Sequence, residues 1–330
     1  MFSRSAIARI ALAVGTLCCL AISVTPAAAG MFLTPAGQAA GFTLSTFADQ
    51  FPNFADVGPL AALFPGNGHV LVTGNGPVYD FPSDQDGQSA LTTPIAQDYG
   101  LSNAIGLAQE GGSIYMTQQA NSSVVRINSD GRFNSLLVSG LTFATGIAVN
   151  PSNGHLFVSN TVQVFDVDPI SQTFQLFANE NIDQMTFNAT GSIVYGADIV
   201  TSHVLGFDTT TGAIVFDSGF IFGDTDGLAL GQGPLAGNLF VNTHAGTVIE
   251  VNLNSLAQTT IAEGGSRGDF ISPDPNGSFL LAQTDSLLRL GLANNPVPEP
   301  TSLMLTTVGC IGLLGAAWRR RLRAHKPNAD

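Results

Sequence analysis

Phe143–Asp168 reads FATGIAVNPSNGHLFVSNTVQVFDVD. An apolar run, Gly146-Ile147-Ala148-Val149, meets a turn of Pro, Ser, Asn and Gly. A second run follows, Gly154-His155-Leu156-Phe157-Val158, then a short break and an alternating third, Gln163-Val164-Phe165-Asp166. Short apolar runs bounded by turn residues read as strands, and Asn-Gly turns join them as tight hairpins. The pattern recurs on both sides. Upstream lie Leu60–Phe64 with His69–Val72, and Ile105–Ala108 with Ile114–Met116 and Val124–Ile127. Downstream lie Met185–Phe187 with Ile193–Tyr195, Gly227–Leu230 with Leu239–Val241, and Phe270–Ile271 with Phe279–Leu281.

Gly106, Gly146, Gln184, Gly227 and Gly268 mark equivalent places in the last five repeats, at separations of 40, 38, 43 and 41 residues. That period suits a four-stranded antiparallel unit, and six such units close into an all-β six-bladed β-propeller. The last repeat ends near Leu292 with three strands. The orphan strand Phe42–Phe47 supplies its fourth and seals the edge where the ring would otherwise stay open.

Only 11% of the residues are charged. Between residues 30 and 298 there are four basic residues, Arg126, Arg132, Arg267 and Arg289, against 22 acidic ones, a net charge of −18. Such a domain repels nucleic acid and anionic membranes and suits export, cationic partners or hard cations. Cys18, Cys19 and Cys310 all lie in the terminal apolar segments. The central domain therefore has no disulfide and no thiolate metal site.

The ends carry an address. Residues 1–29 read as a signal peptide: Arg4 and Arg9, an apolar stretch from Ile10 to Val24, then Pro26-Ala27-Ala28-Ala29, with cleavage after Ala29. A lead-in covers 30–41, the propeller 42–292 and a linker 293–301. Residues 302–318 read as a short transmembrane helix, and 319–330 as a basic cytoplasmic tail. The implied partners are the Sec machinery, signal peptidase and, transiently, the inner membrane.

Pro298-Glu299-Pro300, the short apolar run and Arg319-Arg320-Arg321 together resemble the PEP-CTERM sorting signal of Gram-negative bacteria that make exopolysaccharide. The resemblance implies recognition by an exosortase and release to the envelope, surface or extracellular matrix. The repeats resemble NHL-type and regucalcin/gluconolactonase-like six-bladed propellers. Gluconolactonase-like enzymes hold a metal with a Glu, an Asp and Asn residues at the channel mouth. Here Glu110, Glu180, Glu250 and Glu263 all fall in turns or outer strands.

In a blade the first strand is innermost and the second runs back beside it. Starts of first strands and ends of second strands therefore share one channel mouth. The starts offer Asp56, Asn103, Thr145, Asp183, Asp226 and Asp269; the ends offer Asn75, Gln118, Asn160, Asp198, His244 and Asp285. Carboxylates and amides around one axis suit Ca²⁺, which takes six to eight oxygen ligands. They equally suit turn capping. Other motifs are incomplete. Gly264–Gly268 matches G-x-S-x-G but joins two strands, whereas that nucleophile needs a strand–turn–helix elbow. Asp84–Gly87 and Asp224–Gly227 resemble part of a Ca²⁺ loop without its first and twelfth ligands. His69 and His155 occupy equivalent places on the far face; His244 points to the mouth and would need a partner within about 3 Å to act as a base. The expectation is an exported binding or scaffold protein rather than an enzyme, associated with an exopolysaccharide matrix. The alternative is a Ca²⁺-dependent hydrolase or lyase of the gluconolactonase type.

Overall fold

The computed structural model describes residues 30–293. The signal peptide, the sorting motif, the transmembrane helix and the basic tail expected from the sequence lie outside the described residues. Among the described residues no helix is long and apolar enough to cross a membrane.

The chain forms six antiparallel sheets around one axis. Blades 1 to 5 span 62–98, 107–139, 147–178, 182–217 and 225–263. Blade 6 takes Ile271–Pro273, Phe279–Ala282 and Leu287–Leu292, and Phe42–Asp49 completes it as the outermost long strand. The six-bladed reading and its clasp are thus what the fold shows. The quoted stretch supplies the first three strands of blade 3: Ile147–Val149, Leu156–Ser159 and Val164–Asp168.

Burial explains why such short strands hold. Six apolar clusters lie one at each seam between neighbouring blades. Ala148, Phe157 and Val164 of blade 3, for example, pack on Ile182, Met185 and Leu205 of blade 4. Each sheet is covered on both faces, so second strands such as Val70–Thr73, Leu156–Ser159 and Phe279–Ala282 are buried along their length rather than alternating.

Hydrogen bonds fix the seams along the axis. The side chain near the end of a second strand reaches the next blade's first strand. Thr73 Oγ1 donates to the Ile105 carbonyl at 2.6 Å, Thr117 Oγ1 to Thr145 at 2.5 Å, Ser159 Oγ to Asp183 at 2.7 Å and Asn242 Nδ2 to Asp269 at 2.8 Å. In blades 4 and 6 the equivalent residues are Ala197 and Ala282. At those seams Thr225 Oγ1 donates back to the Asp198 carbonyl, and the Ala62 N–H donates to Ser272 Oγ.

Register also corrects the glycine column. The residue before each first-strand pair is Ala61, Gly106, Gly146, Gln184, Gly227 and Phe270, so blade 6 contributes Phe270 and not Gly268. Gln184 breaks the pattern for a reason. Its Oε1 accepts the N–H groups of Leu228 and Ile271, each at 2.8 Å, and its Nε2 donates to the Ile271 carbonyl at 2.7 Å. One side chain ties blades 4, 5 and 6 across the channel.

The lead-in adds two elements. Phe32–Leu33 pairs with the outer strand of blade 5, and the one-turn helix Pro35–Ala39 begins at Thr34, whose Oγ1 caps the Gly37 N–H. Together they cover a strand edge that would otherwise be free to pair.

Candidate functional site

The channel holds two cavities. The larger, about 520 Å³, opens on the face of the strand-one to strand-two turns, and its lining includes no ionisable side chain. The smaller, about 270 Å³, lies at the opposite mouth and carries the charge. Leu60, Ala61, Ile105 and Phe270 form an apolar cluster between them.

The mouth is built from one column of the repeat. The residues just before the glycine column are Leu60, Ile105, Thr145, Asp183, Asp226 and Asp269. Blades 1 to 3 thus present two apolar side chains and a hydroxyl, and blades 4 to 6 present three carboxyls. The turn before blade 1, closed by a Phe54–Val57 bridge, adds Phe54, Ala55 and Val57 to the apolar wall. Gln119, Asn75 and Ser102 complete the lining.

Arg267 sits among the carboxyls. Its Nη1 lies 2.8 Å from Asp269 Oδ2, an ion pair without hydrogen-bond alignment, and its Nη2 lies 3.3 Å from Asp226 Oδ2. His244 Nε2 meets the same Asp226 oxygen directly and stands 3.2 Å from Arg267 Nη2. Asp226 is fully buried, yet its Oδ1 has no hydrogen-bond partner. Asp183 is partly exposed as a residue through its position on the cavity wall, but its Oδ1 is shut off from solvent and also unpartnered. Burial pushes the carboxyls of Asp183 and Asp269 well above the usual range, and the Asp226 charge adds to it against the pull of Arg267.

The other sequence-selected residues sit elsewhere. Asp56 is exposed in the Phe54–Val57 turn at φ 65°. Asn103 is a turn lock: its Oδ1 accepts the Asn121 N–H and its Nδ2 donates to the Tyr99 carbonyl. Asn160 Oδ1 accepts the N–H groups of Val162 and Gln163, and Asp198 Oδ1 those of Val200 and Thr201. Asp285 is exposed, and its carbonyl accepts the Phe51 N–H. Asp183, Asp226 and His244 do come together.

These positions do not fit the Ca²⁺ expectation. Among the described residues no group of three or more His, Cys, Asp or Glu side chains is arranged to hold a metal ion. A guanidinium already stands between the mouth carboxylates. Asp84 and Asp86, in one of the two partial Ca²⁺-loop matches, likewise face a guanidinium, that of Arg289. His69 and His155 pair with Asp80 and Asp166 at 2.7 and 2.8 Å on the far face.

A PEP-CTERM protein-sorting motif matches residues 296–321, which include Pro298-Glu299-Pro300 and Arg319-Arg320-Arg321. It indicates an exported, exosortase-processed protein of the cell envelope. No curated protein matches the chain. Among solved structures, a gluconolactonase from Xanthomonas campestris is 15% identical over 80% of this chain and 95% of that one, with a TM-score of 0.62. An auxiliary nutrient binding protein from Bacteroides thetaiotaomicron is 13% identical over 76% of each chain, at 0.59. Virginiamycin B lyase from Staphylococcus aureus is 13% identical over 76% of this chain and 99% of that one, at 0.52. The likeness is of fold. The chain is a six-bladed propeller with gluconolactonase-like structural neighbours and an exosortase sorting motif.

The raised carboxyls make a stability prediction. A group whose folded pKa lies above its unfolded value contributes most below the unfolded value, near pH 4, and that contribution is lost as pH rises through the folded value. Asp183→Asn removes one such group. Thermal melts from about pH 4 to 8 should show the variant gaining on the parent as pH rises. Parallel curves would refute a buried, proton-holding Asp183.

Proposed function

We propose that the protein is an exported binding protein of the cell envelope or extracellular matrix of a Gram-negative bacterium, and that it takes its ligand at the carboxyl-lined mouth. The observation that carries this reading is the unpartnered Asp183 Oδ1 on the wall of the mouth cavity. A buried acceptor without a donor carries a desolvation penalty of about 1–3 kcal/mol, which a ligand donor would offset. Leu287–Leu292, the last described strand, runs away from the mouth and ends on the opposite face. An exopolysaccharide matrix supplies ligands rich in hydroxyl and amino groups. Glycan arrays probed with the exported protein and with Asp183→Asn test the reading. Signal lost in the variant supports it, and signal equal in both overturns the site assignment.

The sorting reading, with Sec, signal peptidase and exosortase as partners, has its own test. Replacing Pro298-Glu299-Pro300 by alanines should hold the protein in the inner membrane, seen by fractionation. Unchanged release would refute it.

One observation favours a second reading, hydrolase or lyase chemistry. His244 has the partner that a general base needs, Asp226. Turnover of lactones or esters that is abolished by His244→Ala would establish it.

A further inference from the structure

We infer that the mouth is selective for an organic ammonium group carried on an apolar or ring-shaped body. The inference rests on the binding reading above and names its ligand class.

The two walls of the cavity ask for the two ends of such a ligand. Leu60, Ile105, Phe270 and Val57 make one side apolar, and Phe54, 63% exposed at the rim, extends it outward. Across from them stand Asp183 and Asp269, with Asp226 behind. Three carboxyls share one guanidinium there. Arg267 is engaged by Asp226 and Asp269, and no hydrogen bond joins it to Asp183. What the site lacks is a hydrogen-bond donor with positive charge for Asp183, the wall carboxyl whose Oδ1 no described residue donates to.

An ammonium group supplies that donor compactly, with three N–H bonds on a point charge. A metal ion would need several carboxylates converging on it, and Arg267 stands in that space. A neutral alcohol supplies a single donor and brings no charge to favour the carboxylate form of Asp183. At about 270 Å³ the cavity falls just below the roughly 300–1,000 Å³ of drug-sized sites. It therefore suits a small amine or the amino-bearing end of a longer chain. The acidic surface of the whole domain draws cations toward the mouth before any contact forms.

Binding should also exchange a proton. Burial disfavours the charged forms of Asp183 and Asp269, which face Asp226, Arg267 and His244 across the mouth. An arriving ammonium stabilises the carboxylate and releases the proton, so affinity rises with pH.

Calorimetric titration of the full exported protein with 2-phenylethylammonium and with 2-phenylethanol tests this. The pair differs only in the polar head. The ammonium should bind about tenfold more tightly than the alcohol, with the ratio growing as pH rises above the usual carboxylate range. Asp183→Asn should remove most of that ratio, and Asp183→Glu should keep part of it. Equal binding of the pair, an unchanged ratio in Asp183→Asn, or no ammonium binding up to about 10 mM (the weak end of measurable affinity) overturns the inference. Neutral glycans that bind in an Asp183-dependent way would leave the binding reading standing while the ammonium class falls. Silence from glycans and ammonium probes alike sinks both.

Discussion

Arg289→Ala should destabilise the propeller by about 3–5 kcal/mol, the cost of removing one partner from a buried ion pair. Arg289 is 1% exposed on the third strand of blade 6. Its Nη1 contacts Asp274 and Ser278, its Nη2 contacts Asp84, and its Nε donates to Asp86 Oδ1 at 2.8 Å. Asp86 also accepts from Ser45 Oγ on the N-terminal strand, and the guanidinium lies 5.4 Å from the Phe47 ring centroid on that same strand. The N-terminal strand, blade 6 and the segment Asp84–Asp86, between Pro77–Phe81 and Ile95–Asp98 of blade 1, thus meet at one side chain. Removing it leaves three carboxyls facing one another at the ring's closure. At roughly 2–4 °C per kcal/mol for a domain of this size, the melting point should fall by about 10–15 °C. Hydrogen exchange should quicken first in Phe42–Asp49, which pairs with the strand that carries Arg289 and lies on its outer side. Arg289→Lys should recover part of the loss, since it keeps the charge without the fork.

The same cluster has a pH signature. Burial pushes the Asp84 carboxyl up to about 6, against the pull of its hydrogen bond and charge pairing with Arg289. A raised folded pKa means a contribution that is full near pH 4 and lost as pH rises through about 6. Without Arg289 the upward push of burial on Asp84 is unopposed. The deficit of Arg289→Ala should therefore be largest at neutral pH and shrink toward about pH 4. Urea midpoints across that range would show it. A constant deficit would mean that packing, not charge, is what Arg289 supplies.

The blades were legible because each is a local event. Three or four strands joined by short turns leave a mark about 40 residues long, and the mark repeats. The clasp was legible by counting, since the last repeat had three strands and Phe42–Phe47 had no partner. The mouth was half legible. Its column holds Asp183, Asp226 and Asp269 in blades 4 to 6, where a polar residue marks each strand start. In blades 1 and 2 the same column holds Leu60 and Ile105, and the nearest polar residues, Asp56 and Asn103, lie off it. A pattern of polar strand starts therefore does not show the division of the mouth into an apolar and an acidic half. Arg267, Gln184 and Arg289 escaped for another reason. Each acts across blades on residues up to 205 positions away, and a periodic pattern says nothing of side chains that break it. Their signal was rarity. Arg267 and Arg289 are two of four cations in an acidic domain, and Gln184 stands where blades 2, 3 and 5 carry Gly.

Gly146→Ala should be nearly as damaging, and it should reach the site. A Cβ at Gly146 would lie 1.9 Å from the Asp183 carbonyl oxygen and 2.8 Å from Ser159 Oγ. The carbonyl belongs to the backbone of blade 4, so it cannot swing aside. Ser159 Oγ accepts the Gly146 N–H at 2.9 Å and donates to that carbonyl at 2.7 Å, so the clash falls on the bond that fixes the seam. Overpacking of this kind costs about 1–3 kcal/mol, and more where backbone must shift; the upper end is expected here. Gly154→Ala, eight residues on, provides the contrast. Gly154 has φ 75° and its nearest neighbour is Glu110 Cγ at 3.7 Å. It should lose about 1 kcal/mol through backbone strain alone and leave the mouth unchanged. Asp183 takes its position from the carbonyl that Gly146→Ala displaces. The first variant should therefore weaken ligand binding at the mouth even at temperatures where it is fully folded, and the second should not. Urea midpoints separate the stabilities, and titration of both variants separates the binding. Equal binding by the two would show that Asp183 holds its place without the seam.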